Sequence, residues 1–289
     1  MIDFIVHEGA GKGRGLKAKK AIARKLDELK EEYRFHVTEK KGDAADIARE
    51  LSESGAEKIV AVGGDGTLHE VLNGLKNFDK VTFGVIPAGT GNDFAAAAGI
   101  SEKPLEALDI ILGGNARYVD FFDCSGVRGL NVIGAGIDVD ILRHYASAKV
   151  IKGKLQYALS LIYCLIHYKP YSLTLVDENG ERREKKAFIA CACNGTRFGG
   201  GIKMCPVADP FDKQLNVIVV NDMPRRKILG TLIKLAGGKI HLSPYSECYT
   251  SDRLELTGDF PVEIDGEIYE RLPFNVKIIS DTLKMFCKK

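Results

Sequence analysis

The chain holds seven cysteines but no Cys-X-X-Cys pair. An odd count without that spacing argues against a disulfide framework or a zinc site, and suggests a reducing cytosol. Cys191 and Cys193 lie in an apolar run, which predicts buried thiols on a strand. The histidines (His7, His36, His69, His144, His167, His241) show no metal-ligand spacing. Net charge is only +2, so no global argument for a nucleic-acid partner exists. The longest apolar stretch, 157–168, includes Ser160 and His167 and is too short for a bilayer, which needs roughly 20 residues. Met1-Ile2-Asp3 lacks the basic start of a secretory leader, so none is expected.

What is present is a soluble globular composition, 45% hydrophobic and 28% charged over 289 residues, a length that predicts two domains. The stretch Ile59–Leu75 reads IVAVGGDGTLHEVLNGL. An apolar run breaks at Gly63-Gly64-Asp65-Gly66-Thr67, and Leu68, Val71, Leu72 and Leu75 then recur at helical spacing. That is strand, glycine turn and helix, with one carboxylate in the turn. Glycines let backbone N–H groups approach a ligand, and a helix start favours an anion such as phosphate. Spacing alone leaves an ordinary βα turn equally open.

Ile2–Val6 reads as a strand entering His7-Glu8-Gly9-Ala10-Gly11-Lys12-Gly13-Arg14-Gly15. Lys12 is followed by glycine, not Ser or Thr, so this is no Walker A loop. Its four glycines with Lys12 and Arg14 suit phosphate contact or a flexible turn. A helix is expected over Leu16–Tyr33, a strand over Arg34–Thr38, a helix over Gly42–Ser54 closed by Gly55, and a strand over Val81–Ile86. The last ends in Pro87-Ala88-Gly89-Thr90-Gly91-Asn92-Asp93-Phe94. A helix over Lys103–Leu112 and a strand over Tyr118–Phe122 holding Asp120 follow. Alternation of this kind predicts a parallel sheet whose loops meet in one crevice, with Asp65 and Asp93 facing it.

From about 123 the pattern changes. Helices are expected near 138–148 and 154–168. Strands follow over Tyr171–Val176, Ala187–Cys193, Leu215–Val220, Cys248–Leu256, Val262–Ile264 and Phe274–Ile279, with a hairpin turn at Asp177–Gly180. This predicts an antiparallel β domain. Cys205–Val217 (CPVADPFDKQLNV) is an irregular turn that suits a hard cation or a plain Asp-Pro turn. Met223–Ala236 (MPRRKILGTLIKLA) is a basic amphipathic helix, suited to a sheet face or to an anionic membrane. Asp265-Gly266 reads as a hairpin turn beside Glu267.

GGDGTLHEVLNGL, PAGTGNDFA, VDFFD and IDGE, in this order over nearly the whole chain, resemble the soluble lipid kinases of the diacylglycerol kinase catalytic-domain family, above all its compact bacterial members. The resemblance implies an α/β nucleotide domain over 1–122, with 280–289 returning to it, and a β-sandwich lipid domain over 123–279. It implies ATP with Mg²⁺, a lipid hydroxyl at a membrane surface, diacylglycerol as acceptor, and a cytoplasmic, peripheral protein; a homodimer stays open. By motif, Gly63, Gly64, Asp65, Gly66, Thr67, Leu68, His69 and Glu70 would hold the nucleotide, with His7, Gly11, Lys12, Arg14, Thr38 and Thr90 as further contacts. Asp65, Asp93 and Asp120 would form an acidic network around Mg²⁺, and Glu267 would be the general base. Asp212, with main-chain oxygens of Asp209 and Gln214, would hold a structural Mg²⁺.

Two motifs depart from the family pattern. The first strand ends in His7-Glu8 where Asn-Pro is usual, and the metal loop has Asp212-Lys213 where Asp-Gly is usual, with Asn216 at a common Asp. Two other readings stand: a NAD kinase or other soluble-substrate kinase using the same loop, and a non-catalytic nucleotide-binding regulator. PAGTGNDFA fits the lipid branch better. Phosphoryl transfer needs charge neutralisation and positioning, which glycine-loop N–H groups, carboxylate-held Mg²⁺ and a base supply.

Overall fold

The computed structural model describes residues 1–147, 154–176 and 180–288. Strands and helices alternate through the first half: β1 (Ile2–Val6), α1 (Ala10–Leu29), β2 (Tyr33–Val37), α2 (Asp43–Glu53), β3 (Lys58–Gly63), α3 (Asp65–Gly74), β4 (Thr82–Pro87), α4 (Asp93–Ala97), α5 (Pro104–Leu112) and β5 (Ala116–Cys124). β1 pairs in parallel with β2 and β3, and β3 in parallel with β4, giving the order β4-β3-β1-β2. β1 and β3 are buried along nearly their whole length, as strands covered on both faces must be. Val62 pairs with Val6 and with Ile86, so the carboxyl ends of three strands lie level and their loops open on one edge.

Two boundaries differ from expectation. α1 starts at Ala10 rather than Leu16, with Gly11, Lys12 and Gly13 at positive φ inside its first turns. The glycine run is therefore an irregular helical entry. At the other end Lys30 takes φ 56° and closes α1, its N–H donating to Asp27 O and Leu26 O. Tyr33 consequently opens β2, its ring 5.2 Å from that of Phe35.

The second half contains β6 (Val127–Gly129), β7 (Val132–Gly136), α6 (Ile137–Ser147), α7 (Lys154–His167), β8 (Tyr171–Val176), β9 (Arg182–Cys193), β10 (Leu215–Asn221), α8 (Arg225–Ala236), β11 (Ser246–Ser251), β12 (Arg253–Thr257), β13 (Val262–Ile264), β14 (Glu267–Tyr269) and β15 (Phe274–Phe286). Its pairing is antiparallel along β14-β13-β7-β9-β8-β12-β15, with β10 and β11 continuing from β9. Period-two alternation divides β9 and β10 between two cores. Ala190, Ala192, Val217 and Val219 face one core, while Ile189, Cys191, Ile218 and Val220 face another shared with α6, α7 and α8. An α/β unit is thus followed by a β-sandwich. All seven cysteines are free thiols, and Cys191 and Cys193 are buried on one face of β9. Among the described residues no helix is long and apolar enough to cross a membrane.

The strand expected over Cys248–Leu256 is two strands, β11 on β10 and β12 between β8 and β15, divided at Asp252. The turn expected at Asp177–Gly180 lies outside the described residues except for Gly180. The final strand runs to Phe286 instead of stopping at Ile279. Its register shifts between Ile279 and Leu283, where Asp281 has φ 53°. Beyond the shift Lys284 and Met285 pair in parallel with Thr82 and Phe83 of β4, and Leu283, Met285 and Phe286 enter the first core.

Candidate active site

The loops after β3 and β4 press backbone against backbone. A Cβ on Gly89 would stand 2.2 Å from Gly64 Cα, and one on Gly63 would stand 2.3 Å from Thr67 Oγ1. Only glycine fits there. Ala88 N–H and Gly89 N–H both donate to Gly63 O, at 2.7 and 3.1 Å. Asn92, at φ 56°, accepts from Gly89 N–H through Oδ1 at 2.9 Å and starts α4. The two loops are thereby one rigid floor.

Asp65 and Asp93 converge on this floor. A Cβ on Gly91 would lie 2.9 Å from Asp65 Oδ2 and 3.4 Å from Asp93 Oδ2. Asp65 Oδ1 accepts from Phe94 N–H at 3.3 Å. Burial, then the charge of Asp93, pushes the Asp65 carboxyl up to about 6, while the Phe94 N–H pulls the other way. Burial also raises Asp93, opposed by Gly200 N–H, which donates to Oδ2 at 2.7 Å, and by the charge of Arg197. Asp93 Oδ1 is buried without a hydrogen-bond partner among the described residues.

The first loop reaches the same floor. Arg14 donates to Gly89 O and to Gly11 O, and Gly15 packs on His7 O. His7 Nδ1 lies 3.2 Å from Thr38 Oγ1, which closes the β1 and β2 ends together. Lys12 and Thr90 are exposed at the rim, and Glu70 adds negative charge near Lys41. Leu68 differs from expectation: its side chain is buried in the first core and its N–H serves the α3 backbone.

A turn from the second half comes to the α3 side of this floor. β13 and β14 form a hairpin with Asp265 at φ 51° and Gly266 at φ 93°, the paired positive φ values of a type I′ turn. Asp265 accepts from Leu130 N–H, Asn131 N–H and Val132 N–H at 2.8 to 3.2 Å. Its carboxylate also lies 3.4 Å from His69 Nδ1 and raises Asp65. His69, expected among the phosphate contacts, is instead buried between α3 and the hairpin, with Nε2 2.9 Å from Tyr269 Oη. Glu267 Oε2 meets Lys41 Nζ at 2.5 Å, and Lys41 is raised by that bond. Beneath the turn, buried Glu263 accepts from Gly266 N–H, and its other oxygen has no partner among the described residues. Burial, then neighbouring Asp138, holds Glu263 well above the ordinary carboxylate range; burial pushes Asp138 to about 7.

Asp120 does not join Asp65 and Asp93 in this hydrogen-bond arrangement. Its Oδ2 accepts from Lys213 N–H at 2.7 Å, and its charge acts on Asp212. Asp212 Oδ1 accepts from Gln214 N–H, Asp209 Oδ1 accepts from Phe211 N–H, and Lys213 takes φ 65° where glycine would be unstrained. The 209–214 loop is thus closed by its own backbone donors. Among the described residues no three His, Cys, Asp or Glu side chains are grouped to hold a metal. The residues that sequence reasoning missed are Asp265, Lys41, Arg197, Gly200, Tyr269 and Glu263. Only Asp265 carried a signal, as half of an Asp-Gly turn.

A hollow of about 650 Å³ lies away from these loops beside α5, Gly99 and Cys287, and its acids Glu106 and Asp109 are paired with Lys103 and Lys25. Residues 2–124 match the diacylglycerol kinase catalytic domain, and residues 131–287 match the YegS C-terminal NAD kinase beta sandwich-like domain. The chain is 30% identical to a Chromohalobacter salexigens protein named "Probable lipid kinase YegS-like", over 80% of this chain and 76% of that one. It is 28% identical to a diacylglycerol kinase of Bacillus subtilis, over 87% and 84%. In fold alone it is similar to a Bacillus anthracis diacylglycerol kinase structure, with a TM-score of 0.74, 20% identity and coverage of 99% and 96%. It is also similar in fold to an Archaeoglobus fulgidus NAD kinase in complex with ATP, with a TM-score of 0.56, 16% identity and coverage of 99% and 93%.

Proposed function

Because the chain belongs to the lipid kinase family that joins a diacylglycerol kinase catalytic domain to a YegS-type sandwich domain, we propose that it transfers the γ-phosphoryl group of ATP to the hydroxyl of diacylglycerol, giving phosphatidic acid. The observation that carries this reading is the convergence of Asp65 and Asp93 on Gly91, with the Asp265–Glu267 turn arriving on the α3 side. In this proposal residues 1–122, rejoined by 280–289, form the nucleotide unit, and 123–279 the acceptor unit.

Backbone N–H groups of Gly64, Asp65, Gly66 and Thr90 hold the phosphates, and Arg14, Lys12, His7 and Thr38 bound the nucleotide on the α1 side. Asp65 and Asp93 fit Mg²⁺: both carboxyls are raised by burial and one oxygen of Asp93 has no partner. Mg²⁺ takes one or two carboxylates and keeps waters and phosphate oxygens, so this pair suffices. When bound, it neutralises phosphate charge. Glu267 accepts the proton of the attacking hydroxyl as the new oxygen–phosphorus bond forms and ADP departs with the bond to the γ-phosphorus broken. Until then the ion pair with Lys41 Nζ holds that carboxylate in position. No step is assigned to the 209–214 loop.

The test is purified protein with radiolabelled ATP and Mg²⁺, offered diacylglycerol in mixed micelles or NAD. Labelled phosphatidic acid and unlabelled NAD are expected. Label passing to NAD and not to lipid would replace this reading with a NAD kinase, and ATP binding without turnover on either would replace it with a regulator.

A further inference from the structure

We infer that the outward ridge formed by α8, the short 3₁₀ turn Ile240–Leu242 and Val207 docks the protein on an anionic phospholipid bilayer. The inference deepens the lipid-kinase reading and rests on it for its purpose, though not for its geometry. α8 buries Ile228 and Thr231, with Leu232 and Leu235 partly buried, against the sheet face of β9 and β10. At 100° per residue the opposite face carries Arg226, Leu229 and Ile233. Leu229 and Ile233 are 68% and 65% exposed. A helix packed on a core ordinarily gives water its polar side, so apolar residues on both sides signal a second contact.

Neighbouring segments extend the ridge. Lys234 Nζ donates to Leu242 O at 2.8 Å and so ties exposed Leu242 to α8. A Cβ on Gly238 would stand 2.8 Å from Pro206 Cγ, which places the 203–207 segment, with exposed Val207, against the end of α8. At its foot lies a mainly apolar hollow of about 300 Å³, lined by Met204, Val207, Ile240 and Tyr249 among others.

Charge selects the occupant. Residues 223–246 contain Arg225, Arg226, Lys227, Lys234 and Lys239 and no Asp or Glu, in a chain whose net charge is only +2. Arg225, Arg226 and Lys227 are exposed and form no ion pair among the described residues. Apolar tips ringed by cations match a bilayer, where the tips enter the acyl boundary and the cations meet lipid phosphates. A second copy docking here by two-fold symmetry would set one basic patch against another. The ridge is also connected to the site: the segment that ends at Val207 begins near Gly200, whose N–H donates to Asp93.

The test is co-sedimentation of the full chain with phosphatidylcholine vesicles, with and without phosphatidylglycerol, comparing wild type with Leu229→Ser/Ile233→Ser and Arg225→Glu/Arg226→Glu/Lys227→Glu. Thermal unfolding checks that the variants fold, and size exclusion reads self-association. Wild type is expected to bind the phosphatidylglycerol vesicles and to be released by about 0.5 M salt. Each variant is expected to bind at least about tenfold more weakly, while activity on a water-soluble short-chain diacylglycerol stays within about twofold. Wild type failing to bind, or folded variants binding as wild type does, would overturn the inference. So would a change in self-association with vesicle binding unaltered, which would make the ridge an interface between copies. Ridge-dependent binding without kinase activity on any diacylglycerol would support the docking surface and remove the proposed reaction.

Discussion

Asp65 is held by burial beside Asp93 with its carboxyl at about 6, against 3.8 for the ordinary group. A folded value above the unfolded one favours the fold at low pH, and that contribution is lost as pH rises from about 4 through about 6. Two units of separation correspond to at most roughly 3 kcal/mol. Asp65→Asn is therefore expected to melt at a higher temperature than wild type near pH 7.5 and at the same temperature near pH 4, in ligand-free thermal unfolding at about those two values. The same variant is expected to lose kinase activity. Glu267 poses a different question, since its exposed ion pair with Lys41 adds little to stability. Glu267→Gln is expected to lower kcat by roughly 10² to 10⁴ with the Tm nearly unchanged, as steady-state kinetics and calorimetry would read. Asp265 is the structural member of that turn. Asp265→Ala leaves three backbone N–H groups and His69 without their acceptor and is expected to destabilise by roughly 3 kcal/mol in urea titration.

Among the elements, the β3–α3 and β4–α4 connections act as one piece because Gly64 and Gly89 touch. Gly89→Ala puts a methyl 2.2 Å from Gly64 Cα, and separating the loops is expected to weaken ATP binding by at least about tenfold in calorimetric titration, with a loss of roughly 2 kcal/mol in stability. These connections were legible in the sequence, because an apolar run, a glycine cluster and a 3.6-residue period succeed one another within Ile59–Leu75. The start of α1 was not. Glycines at 11 and 13 imply a loop, and only tertiary contact of Arg14 with Gly89 and of Gly15 with His7 shows why left-handed residues sit inside a helical entry. Asp265 was hidden in another way. An Asp-Gly pair is explained fully by its turn, and the three donors it satisfies come from 130–132, which no local pattern connects to it. His69 looked like a phosphate contact because it follows the glycine loop, but helical rotation carries its ring to the far hairpin. The division of β11 from β12 lay beyond periodicity, since it is set by partners distant in sequence: β11 pairs with β10, and β12 with β8 and β15.

Across the whole molecule, β15 is common to both halves: Phe274 and Val276 pack in the sandwich, and Leu283, Met285 and Phe286 pack under β4. The halves are expected to melt together, as a single calorimetric transition with equal calorimetric and van't Hoff enthalpies. Truncation after Ile279 removes those three side chains from the first core, at roughly 2 kcal/mol or more each, and is expected to unfold the nucleotide half although its catalytic residues remain. The shared strand also bears on how the protein is born. Ribosomal synthesis delivers β4 long before its partner at Lys284–Met285, with the entire second half made in between. The first unit therefore leaves the ribosome with an unfilled seam, and the emergence of β15, after the whole second half, decides when it becomes native.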